Sequence, residues 1–325
     1  MNKHKVIFFL SLGLLLLTVN MSGVNGQTSS QTVGKKTSDV SADSLVNDIK
    51  VLTETPQNLD TVFTADAKIA YYTASNANGR GVFRTSVSDS KNAVVFVGAP
   101  FVNPRGLAIS SDDQNIYVAD PKAKGNGCIF GQSVNGGTPQ VLSGTTGYKP
   151  RGLEVANQNG ADMIYFTGQD PQDGQQGVFK ISAAGDKAPQ IVAKGAPLVS
   201  PDSVAIASIS GDVYVTDNKA GGKGQGRVWK ISGGQVTSLV DRAWLGNPAG
   251  VALTLDEQTL LVSALQTKKG QAKVIVVNLK TAEQNSVTKV IGENPLAGGL
   301  HRARNSNSFA WNGIIRRIYG IFFRP

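Results

Sequence analysis

Arg105, Arg151 and Asp202 occupy the same place in three similar stretches of the chain. Each follows a proline and precedes a short apolar run, in Pro104-Arg105-Gly106-Leu107, Pro150-Arg151-Gly152-Leu153 and Pro201-Asp202-Ser203-Val204. Two guanidinium groups held together can bind a carboxylate or a phosphate, because each offers paired donors in one plane. The alternative is that these charges pair between neighbouring repeats and bind no ligand.

Asp120 and Asp217 share a second place, at the ends of Ile116-Tyr117-Val118-Ala119-Asp120 and Val213-Tyr214-Val215-Thr216-Asp217. Both are candidate ligand-binding residues, but an aspartate there can also accept backbone N–H bonds from the loop that follows. His301, near the start of a later copy, completes the set of candidates.

Several catalytic schemes lack their residues. His301 is the only histidine after residue 26, so a histidine-based zinc site has too few ligands. No Gly-x-Ser-x-Gly segment accompanies it, which argues against a Ser-His-Asp hydrolase. Cys128 lies in a strand-like run and is expected to be a buried, inert thiol. We therefore expect no enzyme, or else a hydrolase acting on an ester or lactone.

The candidate residues belong to a repeat that must position them. Each copy holds four short strand-like runs separated by turn residues. The clear copies start at Pro104, Pro150, Pro201 and Pro248, a spacing of about 40–50 residues that is typical of propeller blades. Stacked blades bring the start of every first strand and the loops between second and third strands to one face. The candidates should therefore converge around a central channel.

Two weaker copies complete the count, one from Leu59 and a shortened one from Gly298. The sequence therefore predicts an all-β, six-bladed propeller over residues 48–325. The last copy lacks a fourth strand, and we expect residues 48–53 to supply it and close the ring. The apolar end, residues 319–325, is either a buried final strand or the product of a truncated or altered reading frame.

The repeated Pro-x-Gly-Leu/Val-Ala start and Tyr-Val-x-Asp strand resemble NHL repeats. They are also similar to the wider six-bladed group of gluconolactonases, regucalcin and strictosidine synthase relatives. That resemblance implies a central divalent metal such as calcium, held by Glu, Asn and Asp. Here Asn58-Leu59-Asp60 stands where Glu-Gly-Pro is expected, and Pro201-Asp202 is followed by Ser203 instead of Gly. Only Asp202 matches a metal ligand, and one carboxylate does not hold a hard cation.

The first residues predict export to the periplasm or the extracellular space. Lys3 and Lys5 precede an apolar run from Val6 to Leu17, as in a secretory signal over residues 1–26. An uncleaved N-terminal anchor is the alternative. Residues 27–47, rich in Ser, Thr, Gln and Gly, are expected to form a flexible linker. With one cysteine, the chain cannot form an internal disulfide.

Removal of residues 1–26 takes away two lysines and lowers the net charge from +9 to +7. The Gly- and Lys-rich loops 122–127, 219–227 and 268–270 should make one face basic. We therefore predict a monomeric binding or scaffold protein for a small anion, a polysaccharide, a lipid headgroup or an acidic protein, without specific nucleic-acid binding. The alternative function is a metal-dependent lactonase or esterase using Asp202.

Overall fold

The computed structural model describes residues 42–55, 57–268, 270–287, 298–314 and 317–323. The predicted signal and most of the predicted linker lie outside these residues. Strands dominate, with short 3₁₀ turns at Ala42–Ser44 and Ser143–Thr145. Neither turn, nor any other described segment, is a helix long and apolar enough to cross a membrane.

The strands follow one another as antiparallel meanders. The first meander consists of β2 (Thr61–Phe63), β3 (Ile69–Asn76), β4 (Gly79–Ser86) and β5 (Asn92–Val97). The second consists of β6 (Gly106–Ile109), β7 (Asn115–Asp120), β8 (Cys128–Ser133) and β9 (Gln140–Val141). The third consists of β10 (Leu153–Gln158), β11 (Ala161–Gln169), β12 (Gln176–Ser182) and β13 (Gln190–Lys194). The fourth consists of β14 (Pro201–Ile206), β15 (Val213–Gly222), β16 (Gln225–Ser232) and β17 (Gln235–Leu245). The fifth consists of β18 (Val251–Leu253), β19 (Thr259–Leu265), β20 (Ala272–Asn278) and β21 (Gln284–Val287). The last consists of β22 (Leu300–Arg302), β23 (Ser308–Ile314) and β24 (Arg317–Phe323).

The meanders are arranged as in a propeller. The first strands β2, β6, β10, β14, β18 and β22 contact one another in a closed ring, which surrounds a central channel. The hydrophobic clusters lie between neighbouring meanders; one joins Tyr117 and Ile129 to Leu153, Phe166 and Phe179. Each sheet therefore buries both faces against its neighbours, which explains the nearly continuous apolar second strands.

Six separate sheets were expected, and the hydrogen bonds join two of them. Four sheets have four strands each, whereas β14–β17 and β18–β21 form one sheet of eight. The connection arises because β17 continues to Leu245, where Trp244 and Leu245 pair with Leu265 and Ala264 of β19.

The N-terminal strand completes the last sheet, as predicted. β1 (Val46–Glu54) pairs antiparallel with β24, outside β23 and β22. The folded part starts earlier than expected, because Ala42 and Val46 are buried in the core although residues 42–47 were assigned to the linker. Ile318 and Ile321 of β24 are also buried, which supports the buried-strand interpretation of the apolar C-terminal end.

Two faces of the ring are named below. The strand-start face carries the segments that lead into each first strand and the loops between second and third strands. The strand-end face carries the loops between first and second strands and those between third and fourth strands.

Candidate functional site

One position in the ring of first strands departs from the repeat. The strand pairing places six residues, one from each first strand, at the same level of the ring: Val62, Ala108, Glu154, Ala205, Ala252 and His301. Small side chains at this level leave space in the channel. The two exceptions, from β10 and β22, fill that space with a carboxylate and an imidazole.

Glu154 and His301 meet there, together with Asp60 from the segment before β2. The imidazole Nδ1 lies 3.2 Å from Glu154 Oε2, and Nε2 lies 3.1 and 3.2 Å from the two carboxylate oxygens of Asp60. The backbone fixes Asp60 in turn, because its oxygens accept the N–H groups of Thr61 at 2.9 Å and Leu107 at 2.8 Å. His301 and Asp60 are buried, and Glu154 is partly exposed.

Asp60, Glu154 and His301 are called the triad below, and the two carboxylates keep His301 protonated, as an imidazolium. Burial alone would lower the pKa of His301, but the carboxylates of Asp60 and Glu154 outweigh it and raise that pKa to about 10. Both ring N–H groups then donate hydrogen bonds to carboxylates, and neither nitrogen has a free lone pair. In this state His301 can be neither a general base nor a metal ligand.

A cavity of about 180 Å³ lies above the triad, towards the strand-end face. Half of its lining residues are apolar, among them Phe63, Ile109, Val155 and Ile206. Glu154, His301, Arg302 and Arg304 give it charge. Small-molecule sites are usually concave and combine apolar walls with a few polar groups, and this cavity is more polar than that usual form.

The two arginines of this cavity differ in how completely they are bonded. Arg304 donates to the carbonyls of Ser110 and Ser111 and lies 3.6 Å from an oxygen of Asp113. Arg302 donates through Nη1 to the carbonyls of Ala303 and Arg304, at 2.7 and 2.8 Å. Its Nε and Nη2 have no hydrogen-bond partner among the described residues, and the residue is partly exposed. This edge of the Arg302 guanidinium is available to a ligand.

Arg105, Arg151 and Asp202 converge at the opposite, strand-start end of the channel. Arg105 Nη2 lies 3.7 Å from Asp202 Oδ1 and also donates to Asn247, whereas Asp202 Oδ2 accepts the Ala249 N–H at 2.9 Å. Arg105 therefore links β6 to the segments before β14 and β18.

Both terminal nitrogens of Arg151 are bonded to the protein itself. Arg151 donates to Ser200, the Pro201 carbonyl and Gln176, at 3.0 to 3.1 Å. These bonds favour the interpretation in which Arg151 joins neighbouring meanders over the interpretation in which it clamps a ligand.

The divalent metal implied by the resemblance does not fit the residues near Asp202. Burial raises the pKa of Asp202, an effect that Arg105 and Arg151 only partly offset. The same two guanidinium groups would repel a cation at this carboxylate. Among the described residues no cluster of three His, Cys, Asp or Glu side chains is arranged to hold a metal ion.

Asp120 and Asp217 bond to loops on the strand-start face. Asp120 is fully buried and accepts the backbone N–H groups of Val102, Asn103, Lys122 and Ala123, at 2.7 to 3.0 Å. Asp217 is also fully buried and accepts four donors, the N–H groups of Val199, Ser200 and Lys219 and the Trp229 indole, at 2.7 to 3.4 Å. Their structural role accounts for every strong acceptor position of both carboxylates.

The sequence contained a usable signal for Asp60, Glu154 and Arg302, which the prediction missed, and for His301, which it named. The third residue of the repeated Gly-Leu-Ala start is Ala or Val in four copies but Glu154 and His301 in the others. Arg302 follows directly and replaces an apolar residue such as Ile109 or Leu253. Asp60 stands where four other copies have Gly and one has Ser203. Departures from the repeat, rather than residues that recur in it, mark the cavity.

Comparison with known proteins supports the fold. No protein-family model matches the chain, and no curated protein matches it. A gluconolactonase from Xanthomonas campestris has a similar structure with a TM-score of 0.63 at 16% identity, covering 87% of this chain and 92% of that chain. A chain of a nidogen/laminin complex gives 0.60 at 16% identity, covering 75% and 84%. A putative TolB from Agrobacterium tumefaciens gives 0.59 at 13% identity, covering 85% and 94%. These β-propeller structures show the propeller fold alone.

Proposed function

We propose that this protein is an exported, six-bladed β-propeller that binds a small anionic molecule and does not transform it. The eight-stranded sheet counts as two blades, one for each of the first strands β14 and β18. Its repeats then belong with those of the NHL and gluconolactonase-like group, and residues 1–26 direct the export.

The available edge of Arg302 is the observation that carries this proposal. Arg302 is the one charged residue at a level otherwise built by Phe63, Ile109, Val155, Ile206 and Leu253. A guanidinium edge that is partly shielded from water attracts a carboxylate or phosphate more strongly than it would in bulk water. A cavity of about 180 Å³ exceeds the roughly 150 Å³ that holds one benzene molecule, so the ligand body is about the size of a single ring.

The triad supports binding over catalysis. A hydrolytic serine in the cavity, such as Ser111 or Ser208, would need a base, and His301 is occupied by Asp60 and Glu154. The rival function, a metal-dependent lactonase or esterase, is favoured by the structural similarity to a gluconolactonase. It requires a cation near Asp202.

Calorimetric titration with benzoate, acetate and inorganic phosphate tests the proposal. We expect at least one of these anions to bind the wild-type protein and Arg302→Gln to lose at least tenfold in affinity. Arg105→Gln, at the other end of the channel, is the matched control and should bind normally. Loss of binding in Arg105→Gln but not in Arg302→Gln would instead support the strand-start clamp, and binding of none of the anions would refute the proposal.

A second titration addresses the rival function. Calcium or zinc that raises the melting temperature of the wild-type protein, but not that of Asp202→Ala, would support a metal-dependent hydrolase. We expect neither metal to produce this difference.

A further inference from the structure

The two faces of the ring differ in charge. The strand-start face and its margins carry exposed basic side chains without an ion-pair partner among the described residues: Arg80, Lys122, Lys124, Lys149, Lys219, Lys223 and Lys268. Its carboxylates are neutralised or hidden, since Asp120, Asp202 and Asp217 are buried and Asp170 and Asp173 pair with Lys194. The loops of the strand-end face instead mix bases with exposed acids such as Asp66 and Asp256.

Two loops of the basic face also present apolar side chains to solvent. Gly98-Ala99-Pro100-Phe101-Val102-Asn103-Pro104 and Gly195-Ala196-Pro197-Leu198-Val199-Ser200-Pro201 are near-identical connections into β6 and β14. Phe101 and Leu198 are buried, whereas Val102 and Val199 are 51% and 52% exposed. Both loops place an apolar tip at the same level of the ring.

The valine tips are held in place. The N–H of Val102 donates to buried Asp120, and that of Val199 donates to buried Asp217, each at 2.7 Å. An exposed apolar side chain on a fixed backbone, repeated at two equivalent positions, contributes nothing to the core. Ile209 and Leu255 on the strand-end loops are exposed as well, but they lie beside acids such as Asp256, whereas Val102 and Val199 lie within a basic face.

We propose that the strand-start face docks on an anionic lipid bilayer. Lysines attract anionic headgroups, and apolar tips among them enter the interface between headgroups and acyl chains. A soluble polyanion would use the lysines equally well but would gain nothing from Val102 and Val199. This inference is independent of the anion cavity, which lies towards the opposite face and stays accessible in the docked state.

Flotation of the full chain with phosphatidylcholine vesicles, with and without phosphatidylglycerol, tests the inference. We expect binding to increase when the anionic lipid is added and to fall with salt. Replacing Lys122, Lys124, Lys219 and Lys223 with Gln should weaken it about 600-fold, since each of the four basic residues near such a surface contributes about fivefold. Val102→Ser with Val199→Ser should weaken it about tenfold.

Matched controls are available on the other face. Gln at Lys68, Lys91, Lys187 and Lys280 removes the same charge from strand-end loops and should leave flotation unchanged. All variants share the N-terminal apolar run, so its contribution cancels in the comparison, and thermal melting checks that each variant is folded. Equal effects of the two lysine sets, or no effect of the valine substitutions, would overturn the proposal. So would binding to dextran sulfate but not to anionic vesicles, since that result identifies a soluble polyanion as the partner.

Discussion

The two ends of the central channel both hold buried charges, yet those charges differ in how completely they are bonded. At the strand-start end, Asp217 and both terminal nitrogens of Arg151 are bonded to the protein, and the unpaired Nε of Arg105 is sealed from solvent. At the strand-end side, Arg302 keeps a guanidinium edge without a protein partner, beside a cavity. Charge and burial alone therefore do not mark a candidate binding site; incomplete bonding next to open space does.

The triad between the two ends should give the largest effect. His301→Gln removes the imidazolium and leaves the carboxylates of Asp60 and Glu154 in the channel without their cation. We expect the free energy of unfolding to fall by about 3–5 kcal/mol, as when one partner of a buried ion pair is removed. Urea unfolding measures it.

A second substitution makes this prediction specific. Adding Glu154→Gln to His301→Gln removes one of the two stranded carboxylates and should recover part of the lost stability. A purely additive further loss would mean that the three groups do not act as one charged network.

The pH dependence of stability is the next effect in size. The folded-state pKa of His301, about 10, lies above its unfolded value of 6.5, so the folded protein binds the proton more tightly. The stabilisation is fully present below pH 6.5 and is lost as the pH rises towards 10. Between those values the unfolding free energy should fall by up to about 1.4 kcal/mol per pH unit. Unfolding curves from pH 6 to 9 test this, and His301→Gln should lack the slope.

The fold was predictable because the repeat expresses it several times. The repeat starts at Pro104, Pro150, Pro201 and Pro248 indicate the strand order. Residues 48–53, which belong to no copy of the repeat, were correctly predicted to form the closing strand. The fused sheet was not predictable, since the pairing of Trp244 with Leu265 depends on how far one strand continues.

The site was predicted less well for a related reason. Repetition showed that Arg105, Arg151 and Asp202 converge, but it also drew attention away from residues found in one copy only. Glu154 and His301 contact each other from strands 147 residues apart in sequence, and no local spacing encodes that contact. Whether Arg302 has a free edge depends on the turn of its own loop.

Removal of the Asp120 carboxylate tests whether the buried charges at the strand-start end of the channel have a structural role. Asp120→Ala leaves four backbone N–H groups without their acceptor, and we expect a loss of about 2–4 kcal/mol in unfolding free energy. Asp120→Asn keeps one oxygen acceptor and should lose less. Anion binding to the cavity should persist in both variants under folding conditions; its selective loss in Asp120→Asn would place the ligand at the strand-start end.

The smallest effect is expected at the rim of the strand-end face, where neighbouring loops are joined by similar hydrogen bonds. In four of them a backbone N–H donates to a side chain of the next meander: Ala65 to Asp113, Ser111 to Asp162, Ser208 to Glu257 and Leu255 to Asn307. The bonds of Asp162 and Glu257 hold Ser111 and Ser208, which line the cavity. These contacts shape the cavity mouth at the exposed edge of the ring.

Glu257→Gln separates the stability of this rim from its role in shaping the cavity. The carboxylate also accepts the Ile209 N–H, and an amide oxygen can replace it as a weaker, uncharged acceptor. We expect a loss below about 1 kcal/mol in unfolding free energy, because the bond is solvent-exposed. Faster hydrogen exchange at Ser208 and Ile209, with unchanged exchange at Val199, would locate the change at the strand-end rim. Equal acceleration at both places would show that the two faces are coupled, contrary to the distinction drawn between them.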